Sequence, residues 1–189
     1  MPQQDTMKKL ILFLLVFAVL AVLGWQFFLH DYQKQRILSF LHPQTDQKGI
    51  AWSVNQSRIA IGSAGWLGKG LGHGPQTQYG FLTEPKTDFI FSAWAEETGF
   101  AGCLFLFALL FFLFWRILQA AFFASNNFSR LFAGGLAFLF FTQSAVNIGM
   151  CLGLLPVVGI PLPMVSYGGN TLVAFYIGLG ILAGLERRG

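Results

Sequence analysis

Four stretches of this chain, residues 10–29, 89–115, 131–155 and 166–185, are apolar for about twenty residues or more. A helix that crosses a bilayer needs roughly 20 predominantly apolar residues, so the pattern predicts an all-α polytopic membrane protein with about four transmembrane helices. A soluble fold is excluded by composition: with 54% hydrophobic residues, 22 Phe and 11% charge, a 189-residue globule would be coated in apolar side chains. Among the four stretches only the second carries charge, at Glu96 and Glu97. The first follows Lys8 and Lys9 as a signal peptide would, but it is longer than an ordinary signal core. Gln26, Phe27 and Phe28 stand where a small-residue cleavage site would be needed, so it reads as a retained span.

Four spans place both termini on one side. Lys8, Lys9, Arg116, Arg130, Arg187 and Arg188 flank helix ends on that side, which the positive-inside tendency makes cytoplasmic. The loop over residues 30–88 then lies outside the cell membrane. Its six basic residues, Lys34, Arg36, Lys48, Arg58, Lys69 and Lys86, weigh little against this orientation, because the rule weakens as loops approach about 60 residues. The net charge of +4 therefore reports topology and lipid contact, and without a basic-aromatic module no nucleic acid partner is expected. Cys103 and Cys151 fall inside spans with no C-x-x-C pair, which indicates neither a disulfide framework nor a zinc site.

The outer loop is too long for a plain connection. Ile50, Val54 and Ile61 recur near helical spacing with Ser53, Gln56, Ser57 and Arg58 between them, which predicts a short helix in or near the interface. Gly62, Gly65, Gly68, Gly70, Gly72 and Gly74 follow. Such a run can bring backbone amides to an anion, with Lys69 reaching a phosphate, or it can be a flexible loop with an incidental lysine. It is no P-loop, since G-x-x-x-x-G-K-[ST] does not occur. Pro156, Pro161 and Pro163 forbid a continuous helix between the third and fourth spans, so that segment must be a broken loop buried in protein or lining a cavity. Thr142, Gln143, Ser144 and Asn147 form a polar stripe expected to hydrogen-bond a neighbouring helix.

RILSFLHP, QSRIAIGSAGWLGKG, TDFIFSAWAEETGF and VNIGMCLGLLPVVGIPLPMVSYGG, in that order, resemble the SEDS family of RodA, FtsW and SpoVE, most closely its RodA branch. The likeness runs from about Lys8 onward and covers what would be the last four of that family's ten helices. It implies a peptidoglycan glycosyltransferase that polymerises lipid II, releases undecaprenyl diphosphate and works beside a class B penicillin-binding protein. A separate N-terminal half is a further expected partner. The resemblance makes Asp88 the essential acid. Thr83 and Lys86 depart from the family's P-E-x-H-T-D pattern, and Asn170 stands where serine is common.

Glycosyl transfer from a lipid diphosphate requires a base for the attacking hydroxyl, positive charge for the departing diphosphate and a groove for the lipid. Asp88, at the outer mouth of the second span, can be that base or can simply cap the helix. Burial would raise its pKa, while a first-turn position and Lys86 would lower it. Arg36, Arg58, Lys69 and Lys86 are the candidate diphosphate contacts. A Mg²⁺ or Mn²⁺ held by Asp88, Glu84 and diphosphate oxygens could share that work. On a helix running from Asp88, Glu96 lies roughly 80° round and Glu97 roughly 180°, which favours Glu96 for the same cavity; on a helix that begins nearer Trp94, both acids sit at the interface instead. Ser166, in the S-Y-G-G that opens the last span, is carried as a substrate contact although the motif reads physically as architecture. Two other readings stand: a noncatalytic membrane module that binds the precursor or a transpeptidase, and a lipid II flippase.

Overall fold

The computed structural model describes residues 15–16, 30–42 and 49–186, so nearly all of the first expected span lies outside the described residues. In chain order the helices are α1 (Asp31–Leu41), α2 (Ile50–Ser63), α3 (Pro75–Gln78), α4 (Ile90–Phe122), α5 (Asn127–Cys151) and α6 (Gly169–Glu186). Among the described residues α4, α5 and α6 are the helices long and apolar enough to cross a membrane. They correspond to the second, third and fourth expected spans, with ends shifted by a few residues. α5 stops at Cys151 rather than 155 because Leu154 and Leu155 both turn their amides back to the Gly149 carbonyl, and Gly153 adopts φ 71°.

In lipid, apolar burial contributes little to helix association, and close packing of small residues takes its place. The buried stripe of α5 is Ala133, Ala137, Phe140, Ser144, Asn147 and Cys151, spaced alternately four and three residues apart. It meets Cys103, Leu106, Leu110, Ile117 and Ala120 of α4, which recur on the same period. α6 adds Phe175, Gly178 and Leu182, and the Phe140 and Phe175 rings meet edge to face at 5.8 Å. The opposite faces display Phe111, Phe112, Phe138 and Ile177 to the surroundings, as lipid-facing surfaces do.

The helix expected near residues 50–61 is present as α2, but it is turned inward. Its buried side is Ala51, Ser53, Gln56, Ser57 and Ala60, while Ile50, Val54 and Ile61 are only partly buried. Small residues allow the helix to approach α4 and α5, and the hydroxyls find partners there. Ser57 Oγ lies 2.5 Å from Ser92 Oγ and donates to the Cys151 carbonyl at 2.6 Å.

α4 is not continuous. At Gly99 the backbone takes φ 70° and ψ −166°, a region open essentially to glycine. In an unbroken helix the amides of Phe100 and Ala101 would bond the carbonyls of Glu96 and Glu97. Here those amides donate instead to Gly65 and Trp66, and the vacated carbonyls accept from Lys69 and Gly70. The glycine-rich loop thus replaces two helical bonds by four of its own. A Cβ on Gly99 would sit 2.2 Å from the Gly68 nitrogen, and one on Gly68 would sit 2.2 Å from the Glu97 oxygen. Gly99→Ala is therefore expected to destabilise the protein by at least about 3 kcal/mol, through strain and backbone collision together. Thermal unfolding of the purified variant in detergent micelles measures it; an unchanged midpoint would contradict the exchange.

Candidate functional site

Residues 84–89 form a tight turn at the mouth of α4. Glu84 takes a left-handed φ of 49°, and its carbonyl accepts from the amides of Thr87 (3.2 Å) and Phe89 (3.3 Å). Phe89 occupies the N-cap position of α4. Asp88 therefore precedes the cap, and its carboxylate is not the helix's terminal acceptor.

Three successive carbonyls of this turn are held by three different donors. The Tyr167 amide donates to Lys86 O at 2.8 Å, Ser166 Oγ to Thr87 O at 2.7 Å, and Asn147 Nδ2 to Asp88 O at 2.9 Å. Asn147 Nδ2 also donates to Ile160 O at 2.8 Å, and Ser166 Oγ accepts the Leu162 amide at 2.7 Å. Both side chains are almost fully enclosed, Asn147 at 0% and Ser166 at 2% exposure. They tie the turn to the proline-rich loop between α5 and α6, where Met164 holds a second left-handed φ of 64°. Two non-glycine residues in this conformation beside one carboxylate mark a backbone held against its preference.

With the backbone fixed, the half-buried Asp88 side chain faces Gly159, where a Cβ would lie 3.3 Å from Asp88 Oδ2 and 3.6 Å from Arg36 Nη1. The carboxylate and the guanidinium thus both border the space beside Gly159, and Arg36 is anchored by donating to the Val158 carbonyl. Burial pushes the Asp88 pKa above the usual carboxylate value of 3.8, Glu84 pushes it further in the same direction, and Arg36 and the Thr87 hydroxyl oppose them. Burial wins the contest left open by the sequence, and the opposing cation is Arg36 rather than the expected Lys86.

Arg36 and Arg58 line one cavity of about 530 Å³ between α1, α2 and residues 153–157, with Phe40, Trp52, Val54, Leu155 and Pro156 as apolar wall. Lys86 is exposed and is tied to the site through its carbonyl. Lys69 is exposed on the glycine loop, whose amides at 69 and 70 are taken up by α4 rather than left for an anion. Glu96, expected in the Asp88 cavity, is fully buried elsewhere. Its carboxylate accepts from the Gln76 amide (2.8 Å), the Thr77 amide (3.0 Å) and the Thr77 hydroxyl (2.7 Å), capping α3. The 80° estimate assumed a helix starting at Asp88, whereas α4 begins two residues later. Ser166 is buried and orders the backbone through the Leu162 amide and the Thr87 carbonyl. Among the described residues no group of three or more His, Cys, Asp or Glu side chains is placed to hold a metal ion. Asn147, read from the sequence as an interhelical contact, joins two loops instead; its signal was an uncharged polar group deep in a span, which must find a partner.

The architecture and site define a multi-pass, all-helical membrane protein with a carboxylate braced at a helix mouth. The chain belongs to the FtsW, RodA and SpoVE family, described as cell cycle proteins, whose model matches residues 5–189. It is 48% identical over 172 residues to the peptidoglycan glycosyltransferase MrdB of Escherichia coli (strain K12), which spans 91% of this chain and 46% of that protein. It is 39% identical over 160 residues to the peptidoglycan glycosyltransferase RodA of Treponema pallidum, spanning 85% of this chain and 37% of the relative. A solved chain from a peptidoglycan synthase complex, described as coordinating polymerization and crosslinking, superposes with a TM-score of 0.70 at 33% identity. That match covers 93% of this chain and 47% of the other. The chain thus spans about half the length of the relatives it matches or somewhat less.

Two measurements follow from the site. The infrared carboxyl band that is lost in Asp88→Asn should titrate above 3.8. Its midpoint should move up in Arg36→Gln, which removes a lowering charge, and down in Glu84→Gln, which removes a raising one; the reverse order would contradict the geometry. Because the folded pKa is raised, ionising Asp88 costs stability as pH climbs through that same window. Asn147→Ala should destabilise the protein by about 1–3 kcal/mol, since two carbonyls lose their donor inside the protein, and urea or thermal unfolding in micelles checks it.

Proposed function

We propose that this chain carries the Asp88-bearing part of a peptidoglycan polymerase acting on lipid II at the outer face of the membrane, with Asp88 as general base. The observation that carries the reading is the brace itself: a carboxylate with raised pKa, its backbone held by Asn147, Ser166 and Tyr167, facing an anchored guanidinium. Relatives named peptidoglycan glycosyltransferases support it.

In the reaction, a sugar hydroxyl of one lipid-linked disaccharide gives its proton to Asp88. Its oxygen attacks the anomeric carbon of a second, forming a β-1,4 bond. The bond from that carbon to the diphosphate breaks, and undecaprenyl diphosphate leaves with the electron pair. A carboxylate whose pKa is raised by burial accepts a proton more readily than a fully exposed aspartate would. Arg36 and Arg58 supply charge for the diphosphate, and the apolar wall of their cavity suits the first units of a lipid tail. Asp88 and Glu84, whose charge raises the Asp88 pKa, would be the residues to hold a hard divalent ion such as Mg²⁺ or Mn²⁺, which would neutralise diphosphate charge.

The topology that accompanies this reading has cytoplasmic termini and an extracytoplasmic Asp88 loop, supported by the basic residues Arg116 and Arg130 at the far ends of α4 and α5. The partner is a class B penicillin-binding protein, supported by the likeness to a chain from a synthase complex. A separate segment corresponding to the remaining half of the relatives is a further partner.

The test supplies lipid II to the purified chain, alone and co-purified with such a co-expressed segment, and resolves glycan strands by electrophoresis. Asp88→Asn should lower strand formation by about 10²–10⁴-fold, the usual contribution of a general base. Strands undiminished in that variant would overturn the assignment of Asp88. No strands from either preparation would favour the noncatalytic precursor-binding module instead.

A further inference from the structure

At the end of the helices opposite Asp88 lies a second cavity, of about 400 Å³, formed where α4 ends, α5 begins and α6 ends. Its wall combines Arg116, Gln119 and Phe123 of the α4 end, Ser129 of α5, and Leu182 and Glu186 of α6. None of these groups takes part in the Asp88 site. Ser129 is 6% exposed and its enclosed hydroxyl has no hydrogen-bond partner among the described residues, an uncommon state for a buried hydroxyl. It stands in the first turn of a 25-residue helix whose dipole favours an anion, its own amide being held by Asn126 Oδ1 at 2.7 Å. Arg116 supplies a full positive charge, and Arg130, donating to the Ala124 carbonyl on the cavity wall, stands at its edge.

Glu186 tells the anion apart from its bearer. A simple anion would be repelled by that carboxylate, and among the described residues Glu186 and Arg116 form no ion pair that would neutralise it. A ligand with a phosphate for Arg116 and an ammonium for Glu186 meets both charged side chains that line the cavity. The depth agrees, since the segment of α4 beyond Gly99 runs for more than twenty residues, at about 1.5 Å each, which spans a hydrocarbon core of about 30 Å. Trp115, beside Arg116, is exposed as an interfacial anchor would be. Phe123, Leu182 and Leu185 offer apolar surface for the start of an acyl chain.

We infer that this cavity is a headgroup site for a zwitterionic, ammonium-bearing phospholipid in the leaflet opposite the Asp88 turn. It is independent of the reading of Asp88.

Native mass spectrometry of the delipidated full chain, titrated with phosphatidylethanolamine or phosphatidylglycerol, tests it. One phosphatidylethanolamine should be retained about tenfold more tightly than phosphatidylglycerol, the scale of one charge-assisted hydrogen bond. Arg116→Gln should weaken both about tenfold, Arg116→Lys less so, and Glu186→Gln should abolish the difference between the two lipids. Equal retention of the two by the native chain would overturn the inference, as would indifference to Glu186→Gln. Displacement of phosphatidylethanolamine by millimolar inorganic phosphate would overturn it in favour of a free-anion site. Should Arg116→Gln fail to fold, as circular dichroism would show, the exposed Glu186 still decides the matter.

Discussion

In a bilayer core there is no water to receive an unpaired peptide group, so every departure from helix has to be repaired from within the protein. This single constraint organises the chain. α4 breaks at Gly99, and the glycine loop supplies donors and acceptors for the groups set free. α5 ends at Cys151, and the proline-bearing segment after it is pinned by Asn147 and Ser166. Irregular backbone survives where a buried side chain or a neighbouring loop completes its bonding, and the Asp88 turn lies at one of those places.

The same repair positions Asp88. Asn147 reaches the Asp88 and Ile160 carbonyls with one amide nitrogen, so a single buried side chain sets the separation of the acid from the loop that carries Gly159. Across Gly159 stands Arg36, which is brought from α1 more than fifty residues earlier. The carboxylate is thereby kept between two influences of opposite sign, burial and a guanidinium, neither of which lies next to it in the chain. Rigidity in the turn comes from Asn147, Ser166 and Tyr167, and tension in the electrostatics from burial and from Arg36 of α1.

Much of this was legible without coordinates. Residues 89–115, 131–155 and 166–185 announce their helices because hydrophobic length is a local property, and the prolines at 156, 161 and 163 announce the break between the last two. Asp88 was marked by its position between a polar loop and an apolar run, and by its motif. The helix over residues 50–63 was legible in extent but not in orientation, since its period is shared by the apolar residues and by the serines that turned out to be buried. Glu96 was misplaced because its angular relation to Asp88 depends on where the helix begins, which a helix mouth held by distant donors decides.

By itself the sequence determined that the chain spans a membrane with α-helices, where those helices run, and that one acid stands at a helix mouth. Each of these rests on the identity of neighbouring residues and on the cost of polar groups in lipid. Only the tertiary structure decided that Arg36 rather than Lys86 opposes Asp88, that Glu96 caps α3, and that Asn147, Ser166 and Gly159 build the site. Those outcomes depend on which hydrogen-bond partners remain once the helices have packed, and residues far apart in the chain supply them.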